Sequence, residues 1–209
     1  MSSMPVTVLV WVGGAIVAFL LGSVNPATIF ARILRKDLAS SGSGNPGATN
    51  AGRVLGVRWG LVVAVLDVLK GYLPAFVVLR TIGEIPAYVV GVAAVLGHVF
   101  SPFLRGRGGK GVATALGAVL AVQPWFGLVM VVVFVAVLAL GRWVAGASLV
   151  SAAVLAALGS LSGAGVLPGS GATTVWTVAL ALIVGTRHHA NVRAWLRARG
   201  LRRSGRADA

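Results

Sequence analysis

The sequence predicts an all-α integral membrane protein. We expect residues 1–209 to form a single domain of seven transmembrane helices, with the N-terminus outside and the C-terminus in the cytoplasm. The chain is 57% hydrophobic and 11% charged, whereas a soluble domain carries about 25% charged residues. Several apolar runs exceed the roughly 18 residues that indicate a membrane span. Basic residues cluster between these runs, as they do in cytoplasmic loops.

Five of the spans follow directly from the apolar runs. The first run lacks a basic start and a small-residue cleavage site, so we interpret it as a true span and not as a removable signal peptide. The five predicted spans lie near Val8–Phe30, Gly60–Leu79, Pro86–Phe103, Ala145–Leu161 and Thr173–Thr186.

The remaining two spans come from the 31 uncharged residues between Lys110 and Arg142. Two helices with a turn at Gln123-Pro124 put all but two of the 18 basic residues on the cytoplasmic side, in agreement with the positive-inside rule. One helix would violate this rule. Two full crossings need roughly 40 residues. We therefore expect the helix after Gly111 to begin inside the protein, beside a wet pocket.

Composition limits the functions that the chain can have. The net charge of +14 suggests nucleic acid, but the cations lie between spans and in a short basic tail at about 195–209. This arrangement favours an anionic lipid surface and no nucleic-acid partner. The absence of cysteine excludes disulfides and thiol chemistry. With three histidines and four acidic residues, the chain offers no evident metal site, and we expect no cofactor.

Three polar segments interrupt the apolar sequence. The first polar segment is GSGNPGATN (Gly42–Asn50), the second is GRGGKGVAT (Gly106–Thr114) and the third is RHHANVR (Arg187–Arg193). Backbone N–H groups, hydroxyls and fixed positive charges are the groups that bind phosphate. We therefore expect phosphate chemistry at the membrane surface.

The first two segments are glycine-rich and lie beside a cation. Glycine N–H groups of the first segment can form an anion-binding nest, and Arg53 can bind phosphate bidentately; a plain interhelical turn is the alternative. The second segment fails the Walker A pattern because Gly111 stands where Ser or Thr is required. A glycine loop with Lys110 that leads into a helix N-terminus still attracts anions. The alternative for Lys110 is an ordinary interfacial lysine.

Other polar residues have both functional and structural interpretations. His188 and Asn191 share one face of a helix, although histidines at a membrane end are often structural. Asp67 and Lys70 lie within a span, where a charge costs about 2.5–3.5 kcal/mol. They either form a mutual ion pair or support the first polar segment. We expect His98 to be a hydrogen-bonded structural histidine.

In this order the segments resemble the bacterial acyl-phosphate:glycerol-3-phosphate acyltransferase family, whose members make lysophosphatidic acid in phospholipid biosynthesis. The resemblance covers about residues 20–195. It is carried by Gly22-Ser23 with GSGNPGATNAGR, by GHVF at 97–100 with GGKGVAT, by DVLKG at 67–71 and by RHHANVR. Two positions depart from the family pattern. Ala145 replaces a common serine, and the glutamate that often follows the third segment is missing from a tail rich in arginine up to Asp208.

The resemblance implies a seven-helix enzyme of the bacterial plasma (inner) membrane whose active site faces the cytoplasm. It would transfer an acyl group from acyl phosphate to the C1 hydroxyl of sn-glycerol 3-phosphate, beside membrane lipid and in contact with the enzyme that supplies acyl phosphate. The implied catalytic residues are Ser43, Arg53, Lys110, His188 and Asn191. The implied substrate-binding residues are Gly42, Gly44, Asn45, Thr49, Asn50, Gly108, Gly109, Gly111 and Ser148. Asp67, Lys70 and His98 would support them.

Two questions stay open at the level of sequence. A transporter of organic phosphate also uses broken helices and buried charge, but here the polar groups gather on one face and no inverted repeat is evident. The acyltransferase pattern of histidine followed five residues later by aspartate is absent, since Phe103, Arg193 and Ala194 stand at those positions. We therefore expect a substrate phosphate to accept the proton, with His188 orienting it; His188 as the base is the alternative.

Overall fold

All the secondary-structure elements in the described part of the chain are helical. The computed structural model describes residues 4–204, with side chains for residues 8–199. In chain order the helices are α1 Met4–Ser23, α2 Pro26–Ile33, α3 Ala48–Val54, α4 Val57–Thr81, α5 Glu84–Val99, a 3₁₀ turn Pro102–Leu104, α6 Val112–Val122, α7 Pro124–Gly141, α8 Val144–Gly163, α9 Gly171–Thr186 and α10 His189–Ser204.

Five helical segments are long and apolar enough to cross a membrane, namely Val8–Ile33, Val57–Thr81, Glu84–Leu104, Pro124–Gly141 and Val144–Gly163. Two shorter apolar helices, α6 and α9, bring the apolar segments to the expected number. The helical structure is interrupted at Gln123, between α6 and α7, as predicted. With 11 residues, α6 is about 16 Å long, so the helix by itself covers only about half of a bilayer core of roughly 30 Å.

The first span differs from the prediction because it is broken between α1 and α2. Pro26 begins α2, and the preceding Asn25 is extended, with φ −114° and ψ 101°, as expected for a residue before proline. The Asn25 side chain accepts a hydrogen bond from the Thr28 N–H at 2.8 Å and donates one to the Pro46 carbonyl at 2.8 Å. The break therefore contacts the first polar segment directly.

The predicted basic tail is helical over most of its length, because α10 continues to Ser204. Arg206 and Asp208, which the sequence places in that tail, lie outside the described residues.

Helix pairs pack closely where glycine replaces a side chain. α1 packs on α5, α4 on α6 and α8 on α9. A Cβ at Gly22 or Gly97 would lie 2.0 Å from a carbonyl oxygen of the partner helix, and the same holds for Gly71 and Gly117 between α4 and α6. The largest buried cluster lies among α5, α6, α8 and α9 and includes Val95, Val119, Leu155 and Leu180.

The outer surfaces of the long helices are strongly apolar. Leu9, Leu61, Val132 and Leu182 are each about three-fifths exposed or more. A surface of this kind is stable only against lipid or another apolar partner.

Candidate active site

The predicted site residues converge on one cavity of about 350 Å³ at the end of the bundle where α3, α6 and α8 begin. Its polar lining includes Ser43, Arg53, Lys110, His188 and Asn191. All the predicted site residues line it except Gly42, Gly44, Lys70, Gly108 and Gly109. The three polar segments, far apart in sequence, therefore share one space.

Three helices direct their first turns toward this cavity. Gly47, Gly111 and Trp143 precede α3, α6 and α8, and the first helical hydrogen bonds run to their carbonyls from Ala51, Ala115 and Ala147 at 2.9, 2.8 and 3.1 Å. Apart from the Asn50 N–H, which donates to the Gly47 carbonyl at 3.1 Å, the N–H groups before those donors have no intrahelical partner. Six of the residues that carry these free N–H groups line the cavity, namely Ala48, Thr49, Val112, Ala113, Val144 and Ala145. The positive ends of three helix dipoles thus face one volume.

The first polar segment is folded around Asn50. Its Oδ1 accepts from the Ser43 N–H at 2.8 Å, and its Nδ2 donates to the carbonyls of Leu38 and Ser41 at 3.2 and 3.1 Å. Gly42, with φ +63°, passes so close that a Cβ there would lie 2.2 Å from Asn50 Oδ1. Asn50 lines the cavity, but both of its N–H donors serve the loop. It therefore shapes the segment, and the expectation that it binds substrate stays a prediction.

Asp37 fixes the start of this loop. Its carboxylate accepts from the Ala39 N–H at 2.8 Å and from the Ser40 hydroxyl at 2.7 Å. Hydrogen bonds from the side chain and backbone of Ser40, and then from Ala39, lower the pKa of Asp37. Asp37 is not among the predicted site residues; its signal in the sequence is an aspartate two residues before a polar turn.

The second polar segment lies against the end of α5. The Gly108 and Gly109 N–H groups donate to the Val99 and His98 carbonyls at 3.1 and 3.0 Å. A Cβ at Gly108 would lie 2.0 Å from the His98 carbonyl oxygen, and a Cβ at Gly109 would lie 2.1 Å from His98 Nε2. These two glycines therefore permit close packing. Their N–H groups already donate to carbonyls at the end of α5, and the expectation that these glycines help to hold the glycerol phosphate stays a prediction.

Lys110 and Gly111 differ from the two glycines before them. Gly111 adopts φ +82° and is the residue from which α6 starts, a conformation that glycine adopts at no steric cost. The turn leaves Lys110 half-buried at the cavity. Burial lowers the pKa of the Lys110 ammonium, and the Arg53 and Arg187 guanidinium groups lower it further. A bound anion would relieve this repulsion.

His188 is held in one orientation. It is 2% exposed, and its Nδ1 lies 2.7 Å from the Val184 carbonyl. Because a carbonyl only accepts, Nδ1 carries the proton and Nε2 is the acceptor in the neutral ring. Burial lowers the pKa of His188, and Lys110 lowers it further, against the opposing hydrogen bond to Val184. Neutral His188 can therefore accept a hydrogen bond from a substrate.

Asp67, Lys70 and His98 form a buried cluster beside the cavity. Asp67 Oδ1 lies 2.8 Å from Lys70 Nζ and 3.5 Å from His98 Nδ1, so the ion pair that would make the charges tolerable is present. Lys70 does not line the cavity; its Nζ donates to the Val24 carbonyl at 2.9 Å, at the break between α1 and α2. The Asp67–His98 distance is long for a hydrogen bond.

The apolar half of the cavity was not predicted. It is lined by Ala64 and Val68 of α4, Leu116 of α6, Phe134 of α7, and Trp143 and Val144 at the start of α8. In the sequence these residues are indistinguishable from ordinary membrane-span residues, because only the packing of four helices brings them together. Ala145, where the family commonly has serine, also lines the cavity.

Most of the chain is similar to proteins that are already known. The family model described as glycerol-3-phosphate acyltransferase matches residues 12–198. The chain belongs to this family. A relative from Geotalea daltonii named glycerol-3-phosphate acyltransferase is 38% identical over 177 residues, which cover 84% of this chain and 89% of the relative. A relative of the same name from Aquifex aeolicus is 43% identical over 137 residues, which cover 64% and 71%.

Two solved structures of the family share the fold. They are crystal structures of PlsY (YgiH), an integral membrane glycerol 3-phosphate acyltransferase, in its glycerol 3-phosphate and lysophosphatidic acid forms. The TM-scores are 0.83 and 0.81, at 34% identity, and each comparison covers 90% of this chain and 93% of the other. The family, with the apolar helices, makes this protein an integral membrane protein.

Proposed function

We propose that this protein transfers an acyl group from acyl phosphate to the C1 hydroxyl of sn-glycerol 3-phosphate, giving lysophosphatidic acid and inorganic phosphate. One observation carries the proposal: two cations without a carboxylate partner face the polar half of a cavity whose other half is apolar. Among the described residues neither Arg53 nor Lys110 forms an ion pair with a carboxylate, and the one carboxylate that lines the cavity, Asp67, lies 2.8 Å from Lys70.

The two phosphates require separate binding groups. Lys110 and the free N–H groups at the start of α6 suit the phosphate of glycerol 3-phosphate. Arg53 and the Ser43 hydroxyl suit the phosphate of the donor. Each charge-assisted hydrogen bond is worth about 1.5–3 kcal/mol. The acyl chain would extend between α4, α6 and α7, along Val68, Leu116 and Phe134.

The reaction itself needs little from the protein beyond placement, because acyl phosphate is already activated. The C1 hydroxyl oxygen attacks the acyl carbonyl carbon, the bond from that carbon to the phosphate oxygen breaks, and the departing phosphate takes the hydroxyl proton. Asn191 and free N–H groups would stabilise the oxyanion, at about 2.7–4 kcal/mol per donor. His188 Nε2 would orient the hydroxyl.

The direct test uses the purified chain in lipid. Acyl phosphate and glycerol 3-phosphate should yield equal amounts of phosphate and lysophosphatidate. Lys110→Ala should lose this activity, whereas Lys36→Ala, at an exposed position away from the cavity, should retain it. Turnover with acyl-CoA alone would overturn the proposed donor. Inactivity of the folded chain with every donor would favour transport of an organic phosphate.

We further propose seven membrane crossings, with the N-terminus outside and the cavity on the cytoplasmic side of the plasma membrane. The positive-inside distribution of the basic residues supports this orientation. The chain lacks cysteine, so a single cysteine can report each side. An impermeant maleimide should label Val166→Cys, between α8 and α9, in intact cells. It should label Ser40→Cys only after permeabilisation, and the reverse pattern would refute the orientation.

A further inference from the structure

Helix α10 is strongly basic and has no acidic residue. Its sequence contains Arg193, Arg197, Arg199, Arg202 and Arg203. The first three have described side chains, and all three are exposed. Leu196 lies among them with 55% of its surface exposed. The arginine-rich character after the third polar segment is one of the features that distinguish this chain from the family pattern.

One face of α10 is attached to the cavity. Asn191, Trp195 and Arg199 follow one another at intervals of four residues, so they lie in a row along the helix. Asn191 lines the cavity. The Trp195 ring stacks on the Trp143 ring, with centroids 5.0 Å apart and an interplanar angle of 6°. The Arg199 guanidinium lies 4.1 Å from the Trp195 centroid.

Trp143 links α10 to the wall of the cavity. Its ring lies against Gly146, where an added Cβ would be 2.3 Å from the indole, and it also stacks on Trp195. Because Trp143 lines the cavity, any displacement of α10 would move both this wall and Asn191.

The opposite face of α10 is uncovered. At 100° per residue, Arg193 and Arg197 lie about 180° around the helix from Trp195. In the part of the chain that the structure describes, no other helix packs along the length of α10. The position of the helix therefore depends on what contacts this face. Arginines beside an exposed leucine suit an anionic lipid surface, which supplies both phosphate groups and an apolar layer.

We propose that anionic phospholipid headgroups bind Arg193 and Arg197, and that this contact holds α10 so that Asn191 and Trp143 keep their places at the cavity. The lipid site is inferred from the positive charge and the exposure of α10. Its effect on turnover rests on the proposed acyltransferase activity, so binding and activity are measured separately.

The experiment compares three full-length proteins: wild type, R193Q/R197Q, and the matched control R32Q/R35Q, which removes two exposed arginines at the end of α2. Each is titrated in neutral detergent with phosphatidylglycerol, and bound lipid is counted by native mass spectrometry. Each is also assayed in nanodiscs of phosphatidylcholine with increasing phosphatidylglycerol. Thermal unfolding verifies that all three are folded.

We expect R193Q/R197Q to bind phosphatidylglycerol roughly tenfold or more weakly, since each arginine near an anionic surface contributes about fivefold. The R32Q/R35Q control should bind like wild type. Phosphatidylglycerol should raise the turnover of wild type and control but not of R193Q/R197Q. Equal binding by all three proteins, or equal losses in both variants, would refute the site.

Two further outcomes separate the alternatives. Saturable binding of polyglutamate through Arg193 and Arg197, without binding of phosphatidylglycerol, would refute the lipid site and indicate that α10 binds an acidic protein partner. Protein that binds phosphatidylglycerol through α10 and yet is inactive in every lipid would contradict the proposed reaction and support the lipid site.

Discussion

Asp67 on α4 and His98 on α5 lie side by side in the wall of the cavity, with Oδ1 and Nδ1 3.5 Å apart. They are 31 residues apart in sequence, so no short motif reveals the pair. The cluster continues to Lys70, whose Nζ donates to the Val24 carbonyl. On the other side, His98 supports the backbone of Gly109. A chain of polar groups therefore connects the break in the first span to the segment that carries Lys110.

Replacing Asp67 should destabilise the protein, because it would leave Lys70 as a buried cation without a counter-charge. Removing one partner of a buried ion pair typically costs about 3–5 kcal/mol. We expect Asp67→Asn to lower the unfolding temperature in detergent markedly. The matched control is D67N/K70M, which removes both charges and should recover much of the loss. A double variant as unstable as the single one would show that the ion pair is not the cause.

Gly109→Ala should weaken the binding of glycerol 3-phosphate. The added Cβ would lie 2.1 Å from His98 Nε2, so the backbone must shift and Lys110 with it. If one charge-assisted hydrogen bond is lost, kcat/KM for glycerol 3-phosphate should fall about ten- to a hundredfold. Steady-state kinetics measure this. Gly185→Ala, where a Cβ meets nothing within 4 Å, should behave like wild type; unchanged kinetics in Gly109→Ala would contradict close packing against His98.

His188→Gln should keep most of kcat, because the glutamine carbonyl can replace Nε2 as an acceptor, while His188→Leu should lose it. The exposed neighbour His189 provides the control His189→Gln. Total loss of activity in His188→Gln, with the fold intact, would instead make His188 the general base.

The pH dependence of turnover should report the same residue. Burial and then Lys110 lower the pKa of His188, so the ring stays neutral below the usual value of about 6.5. Protonation removes the Nε2 acceptor. Activity should therefore persist as the pH falls through the ordinary histidine range and decline only near the lowered pKa. Once the ionisation of the substrates is corrected for, the pH profile of His188→Gln should lack this decline. A decline in wild type at the ordinary histidine pKa would mean that a group other than His188 is titrating.

Gly71→Ala should separate α4 from α6. Its Cβ would lie 2.0 Å from the Thr114 carbonyl oxygen. Because this oxygen belongs to the backbone of α6, it cannot move away without moving the helix. We expect destabilisation of about 1–3 kcal/mol and a higher KM for glycerol 3-phosphate, because Thr114 lies in the first turn of α6. Gly13→Ala, with nothing within 4 Å of its Cβ, is the control for thermal unfolding. Equal stability of the two variants would contradict the close contact.

The sequence by itself determined the membrane class, the all-helical fold, the break at Gln123 and the three polar segments, but not the break between α1 and α2. Apolar length and the distribution of charge are local properties, and both follow directly from the cost of placing polar groups in lipid. Glycines, cations, hydroxyls and amides in short segments likewise indicated most of the polar residues that line the cavity.

Only the tertiary structure decided which contacts each of those residues makes. Whether a glycine N–H is free or bonded depends on which helix lies beside it, and Gly108 and Gly109 lie against α5. The apolar half of the cavity, the Asp67–His98 pair and the stack of Trp195 on Trp143 all join helices that are distant in sequence. In a chain this apolar, many residues could pack against one another, and only the relative positions of the helices select the pairs that meet.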